Sequence, residues 1–157
     1  MTVKISLAHL DDAGPIAEMS RLLIEDGLPW SWTESRIRRH VRDPESAVIV
    51  AHEGRRMAGF AVMEFRDEHA HLDLLAVRPA YRQQGLGTAL IRWLESSART
   101  AGIFDIHLEL RAGNQGARRF YERLGYSAVG RRPRYYAGLE DALCMARNLA
   151  VVPASRA

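Results

Sequence analysis

Leu72-Asp73-Leu74-Leu75-Ala76-Val77-Arg78-Pro79-Ala80-Tyr81-Arg82-Gln83-Gln84-Gly85-Leu86-Gly87-Thr88-Ala89-Leu90 decides how the rest of the chain is read. His71 to Val77 reads as a strand, Arg78-Pro79 as a turn, and Gly85 as the glycine-rich entry to a helix reaching about Ala101. Leu86, Leu90, Trp93, Leu94 and Ser97 recur at helical spacing. The first turn of a helix has unpaired N–H groups and a partial positive charge, which together suit a phosphate. Gly85 and Gly87 leave no side chain where backbone must approach a ligand, and Arg82 adds a full charge. The two glycines alone fit a plain tight turn equally well. A dinucleotide fingerprint would need a third glycine at position 90, where the chain has Leu90, and no Gly-Lys-Ser/Thr is present for a nucleoside triphosphate loop.

Working outward, Val3 to Leu7 predicts a first strand. Asp11 or Asp12 can cap a helix with Pro15 in its first turn and Ile16, Met19, Leu22 and Leu23 on its inner face. Thr33 can cap a second helix, through Ile37 and Val41, ending before Pro44. Ala47 to Glu53 and Met57 to Phe65 predict a hairpin turning at Gly54. Phe104 to Arg111 predicts a strand, Gln115 to Leu124 a helix stopped by Gly125, and Tyr126 to Gly130 and Asp141 to Asn148 two closing strands. A hairpin followed by alternating strands and helices indicates a mixed α/β sheet. With 157 residues and no repeat or linker, one domain over residues 1–150 and a short tail over 151–157 are expected.

Composition narrows the class of protein. The chain is 47% hydrophobic and 26% charged, ordinary for a globular domain, and has no apolar run of membrane-spanning length. Met1 to Asp12 lacks the pattern of a signal peptide. The single cysteine, Cys144, lies in an apolar run and reads as a buried structural thiol, which fits a reducing cytoplasm. The net charge is +3, and Lys4 is the only lysine, so the positive charge is almost all arginine. The arginines are scattered, with concentrations at 36–42 and 131–134, and establish no anionic partner by themselves. His69 and His71 are the closest histidine pair. They lack the accompanying ligands of a zinc site, so no metal is expected.

A second segment carries chemistry. In His107-Leu108-Glu109-Leu110-Arg111, strand alternation places His107, Glu109 and Arg111 on one face and the apolar residues on the other. Asn114 and Tyr121 then fall two helical turns apart on nearly the same side. Taken singly, Asn114 fits a helix cap, Tyr121 a core aromatic and Glu109 an edge-strand charge. The chain has neither a convincing Cys–His pair nor a Gly-x-Ser-x-Gly elbow for covalent catalysis.

The two segments together resemble the GNAT superfamily of N-acetyltransferases. Its pyrophosphate loop, Gln/Arg-x-x-Gly-x-Gly/Ala, appears as Arg82-Gln83-Gln84-Gly85-Leu86-Gly87 after the strand Leu74-Leu75-Ala76-Val77. Its second signature, Asn-x-x-Ala-x-x-Phe/Leu-Tyr-x-x-x-Gly-Phe/Tyr, is matched at Asn114, Ala117, Phe120, Tyr121, Gly125 and Tyr126. The similarity extends over nearly the whole chain to the RimI-like branch, the ribosomal-protein-alanine N-acetyltransferases. It includes Leu108-Glu109-Leu110-Arg111, Pro29-Trp30-Ser31, Tyr135-Tyr136 and Glu140-Asp141-Ala142-Leu143-Cys144-Met145. Two segments depart from that branch: the connection Ala137-Gly138-Leu139 is shorter, and Arg131 to Tyr135 is spaced differently.

The resemblance implies a twisted, mostly antiparallel sheet of about six to seven strands with helices on both faces. It implies acetyl-CoA as acetyl donor, with no metal, held by Leu75, Ala76, Val77, Arg82, Gln83, Gln84, Gly85, Leu86, Gly87 and Thr88, and by Asn114, Ala117 and Tyr121. It implies Glu109 as general base and Tyr121 as general acid in direct attack by an amine. Apart from the resemblance, His71 and His107 are minor candidates for relaying a proton. The implied acceptor is the α-amine of a peptide or protein N-terminus, with a small-molecule amine as runner-up. The rivals outside this chemistry are an RNA- or ribosome-binding module, suggested by the arginines, and a silent acetyl-CoA sensor.

Overall fold

The computed structural model describes residues 2–151. Its elements run β1 (Lys4–Leu7), α1 (Ala13–Leu23), α2 (Glu34–Arg42), β2 (Ser46–Glu53), β3 (Arg56–Phe65), β4 (His69–Val77), α3 (Leu86–Thr100), β5 (Asp105–Arg111), α4 (Gln115–Arg123), β6 (Ser127–Tyr136) and β7 (Glu140–Asn148). All seven strands join one sheet in the order β1-β2-β3-β4-β5-β7-β6. Every neighbouring pair is antiparallel except β4 with β5. The mixed, mostly antiparallel sheet is therefore the one expected, with α1 and α2 on one face and α3 and α4 on the other. The tail expected over 151–157 lies, from residue 152 onward, outside the described residues.

Two apolar layers sandwich the sheet. Ile16 and Met19 of α1, with Ile37 of α2, pack on Val48, Val50, Phe60 and Val62. Leu90, Ile91 and Leu94 of α3, with Tyr121 of α4, pack on Ile49, Met63, Leu72 and Leu108. Thr33 caps α2 as expected, its side chain accepting from Arg36 N. Asp12 does not cap α1 with its side chain; its Oδ2 accepts from His9 N at 2.8 Å, closing a 3₁₀ turn over Leu10–Asp12. Leu22, assigned to the inner face, is exposed instead. On α3 the periodicity conceals a charge: Glu95 is fully buried and receives hydrogen bonds from Arg92, Arg147 and the Tyr126 hydroxyl. Those three donors are what make a buried carboxylate tolerable there.

The largest departure from the expected elements is β6. It continues past Gly130 to Tyr136, through Pro133, and turns into β7 over Ala137-Gly138-Leu139. Pro133 is tolerated because β6 is the sheet's edge. Arg134, Ala137 and Gly138 take positive φ, and Arg134 N donates to Asp141 Oδ1 at 3.0 Å. The short connection therefore closes as a bulged hairpin rather than an open loop.

Two irregularities set up the site. Parallel pairing of β4 with β5 covers only His69–Leu72 against Asp105–Leu108, so Asp73 to Val77 and Glu109 to Arg111 are not paired with each other. Beside that fork, Val62 of β3 opposes Leu74 while Met63 opposes Leu72, leaving Asp73 as an extra, unopposed residue. The bulge switches faces: Leu72 packs in the α3 layer and Leu74, two residues on, in the α1 layer.

Candidate active site

A cleft of about 620 Å³ opens where β4 and β5 separate. Leu75 from β4, Glu109 from β5, and Asn114, Ala117 and Tyr121 from the α4 segment all line it. These residues belong to the two sequence segments that were set apart, and the fork in the sheet brings them together. Between the diverging strands, β4 presents backbone N–H and C=O groups that β5 does not take up, since the ladder ends at Leu72. Ala76 is buried and keeps its pairing with Phe60 on the other side.

The glycine-rich loop lies at the end of β4. Gln83 and Gly85 both have positive φ, and Arg82 to Gly85 are exposed. Gly85 precedes the first residue of α3 with nothing near its missing Cβ. Arg82 Nε donates to Val77 O at 3.1 Å, tying the loop to the strand end. Gly87 has a packing role besides the expected one. A Cβ there would meet the Phe120 ring at 3.2 Å, so its bare backbone serves the packing of α4 against α3. Leu86 is buried, and Thr88 is half-buried in the first turn of the helix.

Asn114 caps α4, its Oδ1 accepting from Ala117 N at 3.1 Å, and also lines the cleft, so the structural and the functional placement coincide. Tyr121 is 8% exposed, and burial pushes its hydroxyl well above the ordinary tyrosine range. It stays a protonated donor at any working pH.

Glu109 is more tightly engaged than an edge-strand charge. Its Oε2 lies 2.7 Å from His71 Nε2, and its Oε1 accepts from the Tyr135 hydroxyl at 3.2 Å. His71 Nδ1 is in turn 2.6 Å from Asp73 Oδ1. Burial alone would lower the His71 pKa, but the bonds to Asp73 and Glu109 and their charges outweigh it and raise it to about 9. Burial raises Asp73 to about 6, reinforced by Glu64 and opposed by His71. Burial also tends to raise Glu109, but His71, Tyr135 and Arg132 together hold it below the usual carboxylate range. The resting arrangement is an imidazolium between two carboxylates.

Two chain segments wall the opposite side. Glu25, 6% exposed, accepts from Ser20 Oγ, from Ser31 N and Oγ, and from Trp32 N, and so shapes the connection between α1 and α2. Trp32 of that connection carries the Arg36 guanidinium over its ring at 3.6 Å. The second wall is the β6–β7 hairpin, with Tyr135, Tyr136 and Ala137 at the cleft. Arg111 links both walls, donating to Glu140 Oε1 at 2.8 Å and to Asp26 O at 2.7 Å.

Comparison with known proteins decides the family. Residues 16–126 match the model of the acetyltransferase (GNAT) family. This chain is a GNAT protein. It is 39% identical over 94 residues to the [ribosomal protein bS18]-alanine N-acetyltransferase of Escherichia coli K12, a match covering 58% of this chain and 64% of that relative. The matched stretch thus spans less than two thirds of that relative's length. The N-alpha-acetyltransferase of Sulfurisphaera tokodaii is 26% identical with 93% of both chains covered. Among solved structures, the ribosomal-protein-S18-alanine N-acetyltransferase of Escherichia coli superposes with a TM-score of 0.79 at 28% identity, covering 99% of each chain.

Sequence alone gives little signal for several residues at the GNAT cleft. His71 reads as an ordinary strand histidine or an alternative proton carrier, and Asp73 as part of a regular strand. The adjacent Leu74-Leu75, which breaks the apolar alternation of Ala70 and Leu72, is the mark of the bulge. Glu25 gave no signal, because its partners are assembled by a loop. Cys144, expected to be buried, is half-buried and stands directly across the β5–β7 ladder from Glu109. Among the described residues, no helix is long and apolar enough to cross a membrane.

Proposed function

We propose that this GNAT protein transfers acetyl from acetyl-CoA to the α-amine of a peptide or protein N-terminus. The observation that carries the reading is Glu109: a carboxylate held anionic at the fork of β4 and β5, inside a cleft that Tyr121 also lines. The unpaired edge of β4 from Asp73 to Val77 suits an extended amide-bearing chain such as pantetheine, which can bond to it as an added strand. The exposed Arg82–Gly85 loop and the first turn of α3 suit the pyrophosphate. Leu75, Ala76, Val77, Leu86, Gly87, Thr88, Asn114 and Ala117 complete the proposed donor site.

The chemistry follows from the donor set. The ammonium of the acceptor loses a proton to Glu109, directly or through a water, and the free amine attacks the thioester carbonyl. The oxyanion that develops is met by a β4 backbone N–H near Val77. When the tetrahedral intermediate collapses, the C–S bond breaks, and the departing thiolate takes the proton of Tyr121. No acyl-enzyme forms. An α-amine has a pKa near ~8 against ~10.4 for a lysine side chain, so it demands less of a weakly basic carboxylate. The resemblance of Pro29-Trp30-Ser31 and Tyr135-Tyr136 to RimI-like enzymes supports a peptide acceptor. In this structure those segments form the two walls that Arg111 ties together.

The deciding experiment offers acetyl-CoA with peptides beginning in Ala, Ser, Gly or Met, an N-terminally blocked peptide carrying one lysine, and a set of polyamines, aminoglycosides and amino acids. Mass spectrometry locates the acetyl group. Acetylation of free peptide N-termini is expected. Acetylation confined to the small amines would overturn the peptide acceptor, and no transfer to any amine would overturn the activity.

A further inference from the structure

The two oxygens of Asp73 have opposite surroundings. The side chain is 7% exposed; Oδ1 faces His71 Nδ1 at 2.6 Å, whereas Oδ2 is buried without a hydrogen-bond partner. Asp73 is also the extra residue of the β4 bulge, and its side chain lies beside Glu64 of β3 and His40 of α2. Those three side chains bring one polar atom each within 4.8 Å of one another. A carboxylate oxygen buried without a donor beside a second carboxylate is costly as an anion, and a proton relieves it.

We infer that Asp73, backed by Glu64, is the proton sink that makes Glu109 an effective base, and that it acts through His71. It is a positioning residue, since it does not touch the reacting atoms, and the inference rests on Glu109 being the base. The difficulty it resolves is electrostatic. In the resting site the charges run Glu109⁻, His71⁺, Asp73⁻. If Glu109 simply gained the amine's proton, a neutral acid would sit against an imidazolium, which is why Glu109 alone is a poor acceptor.

A second proton shift removes that penalty. As the ammonium N–H breaks and an O–H forms on Glu109, the Nδ1–H of His71 breaks and an O–H forms on Asp73 Oδ1. His71 is left neutral, still donating from Nε2 to Glu109 and accepting at Nδ1 from Asp73. Three charged groups become three neutral ones, and the substrate's positive charge balances the net negative charge with which the site began. Burial favours the neutral set. Burial and Glu64 raise Asp73 to about 6, which places its uptake of a proton within reach of neutral pH.

The groups facing Asp73 are His71 on its own strand, Glu64 from β3 and His40 from α2, with the Tyr135 hydroxyl of β6 further off and Glu109 of β5 on the far side of His71. Burial keeps His40 below its usual pKa, and its Nδ1 is 3.0 Å from Ser46 Oγ. Arg36, Arg66 and Arg132 stand one layer further out, acting on His40, Glu64 and Glu109 respectively.

The test uses the full-length protein with acetyl-CoA and an alanine-initiated peptide, both saturating. For wild type, kcat should fall on the acid side with a midpoint near the Asp73 value of about 6. Asp73→Asn preserves a hydrogen-bond acceptor for Nδ1 but cannot take a proton. It should keep acetyl-CoA affinity, lose about tenfold or more of kcat near neutral pH, and move the acid limb down by about one unit or more. Glu64→Gln should move the limb in the same direction by less. In the ligand-free enzyme, infrared titration should show a carboxyl band protonating near the same midpoint in wild type and absent from Asp73→Asn. Limbs that coincide with wild type in both variants, even with reduced turnover, would overturn the inference; so would the lack of that band. If Asp73→Asn does not fold, Glu64→Gln and the wild-type infrared titration decide. Full turnover in Glu109→Gln would overturn the base assignment, and this inference with it. An inactive Glu109→Gln beside unmoved limbs would overturn the inference alone.

Discussion

Arg111 Nε donates to Glu140 Oε1 at 2.8 Å, and the same guanidinium reaches the carbonyl of Asp26 at 2.7 Å. One side chain at the end of β5 thereby holds the β6–β7 hairpin and the connection after α1, segments far apart in sequence that face each other across the cleft. The ion pair is about 31% exposed on each side and contributes little on its own, roughly 0–1 kcal/mol. The charged bond to a backbone carbonyl adds about 1.5–3 kcal/mol.

Arg111→Gln should therefore loosen both walls while leaving the donor half of the cleft intact. The acceptor KM is expected to rise about tenfold, as loss of one charged hydrogen bond at the site implies. Acetyl-CoA affinity by calorimetry should stay within about twofold of wild type. Equal losses of acceptor and donor binding would show that Arg111 supports the whole fold instead of the two walls.

Tyr121→Phe removes only a hydroxyl from a side chain that is otherwise packed against Phe120 and Tyr126. Acetyl-CoA binding and stability should be retained. Turnover should fall by ~10²–10⁴-fold, the usual contribution of a general acid. A steady-state kcat within twofold of wild type would leave Tyr121 as packing alone.

Gly87→Ala tests the packing role that the structure gives to this glycine. The new Cβ would lie 3.2 Å from the Phe120 ring, so α4 must yield or the ring must turn. A stability loss of about 1–2 kcal/mol is expected in thermal unfolding. The double variant Gly87→Ala, Phe120→Leu should recover part of it, whereas no coupling between the two sites would assign the glycine to the ligand instead.

The order of elements and the faces of β5 were legible in the sequence because period-2 and period-3.6 patterns survive wherever one face is buried. Ile106, Leu108 and Leu110 are buried, and Glu109 and Arg111 face the cleft, as alternation predicts. The second signature was legible for a similar reason, its spacing fixing which residues of α4 face the cleft. What sequence could not supply was relation in space. The fork between β4 and β5 is set by where a ladder stops. The Asp73 bulge is set by an extra residue against a partner strand that no local pattern reveals. The sequence predicts β6 only to Gly130, six residues short of its end at Tyr136, because every residue from Ser127 to Tyr135 is exposed, so no burial pattern marks its Arg-rich half. The network from His40 through Glu64, Asp73 and His71 to Glu109 draws on α2, β3, β4 and β5, and each residue alone reads as an ordinary surface group.

The same network makes stability depend on pH in a direction that can be worked out. His71 titrates near 6.5 in an unfolded chain and at about 9 in the fold, because Asp73 and Glu109 hold its proton. A group whose pKa is raised on folding stabilises fully below the unfolded value and loses that stabilisation as pH rises through the folded one. The stabilisation from His71 is thus complete below pH 6.5 and is gone above about 9. A shift of this size corresponds to at most about 3 kcal/mol, and solvent entering the open cleft reduces it to about 1–2 kcal/mol. Urea unfolding across this range should show wild type losing that much relative to His71→Gln, which has no proton to lose. Asp73, also raised on folding, loses stabilisation in the same direction at lower pH, between its ordinary carboxylate range and about 6, so the comparison is confined to values above about 6. Parallel stability curves for the two proteins would show that His71 is not held as an imidazolium.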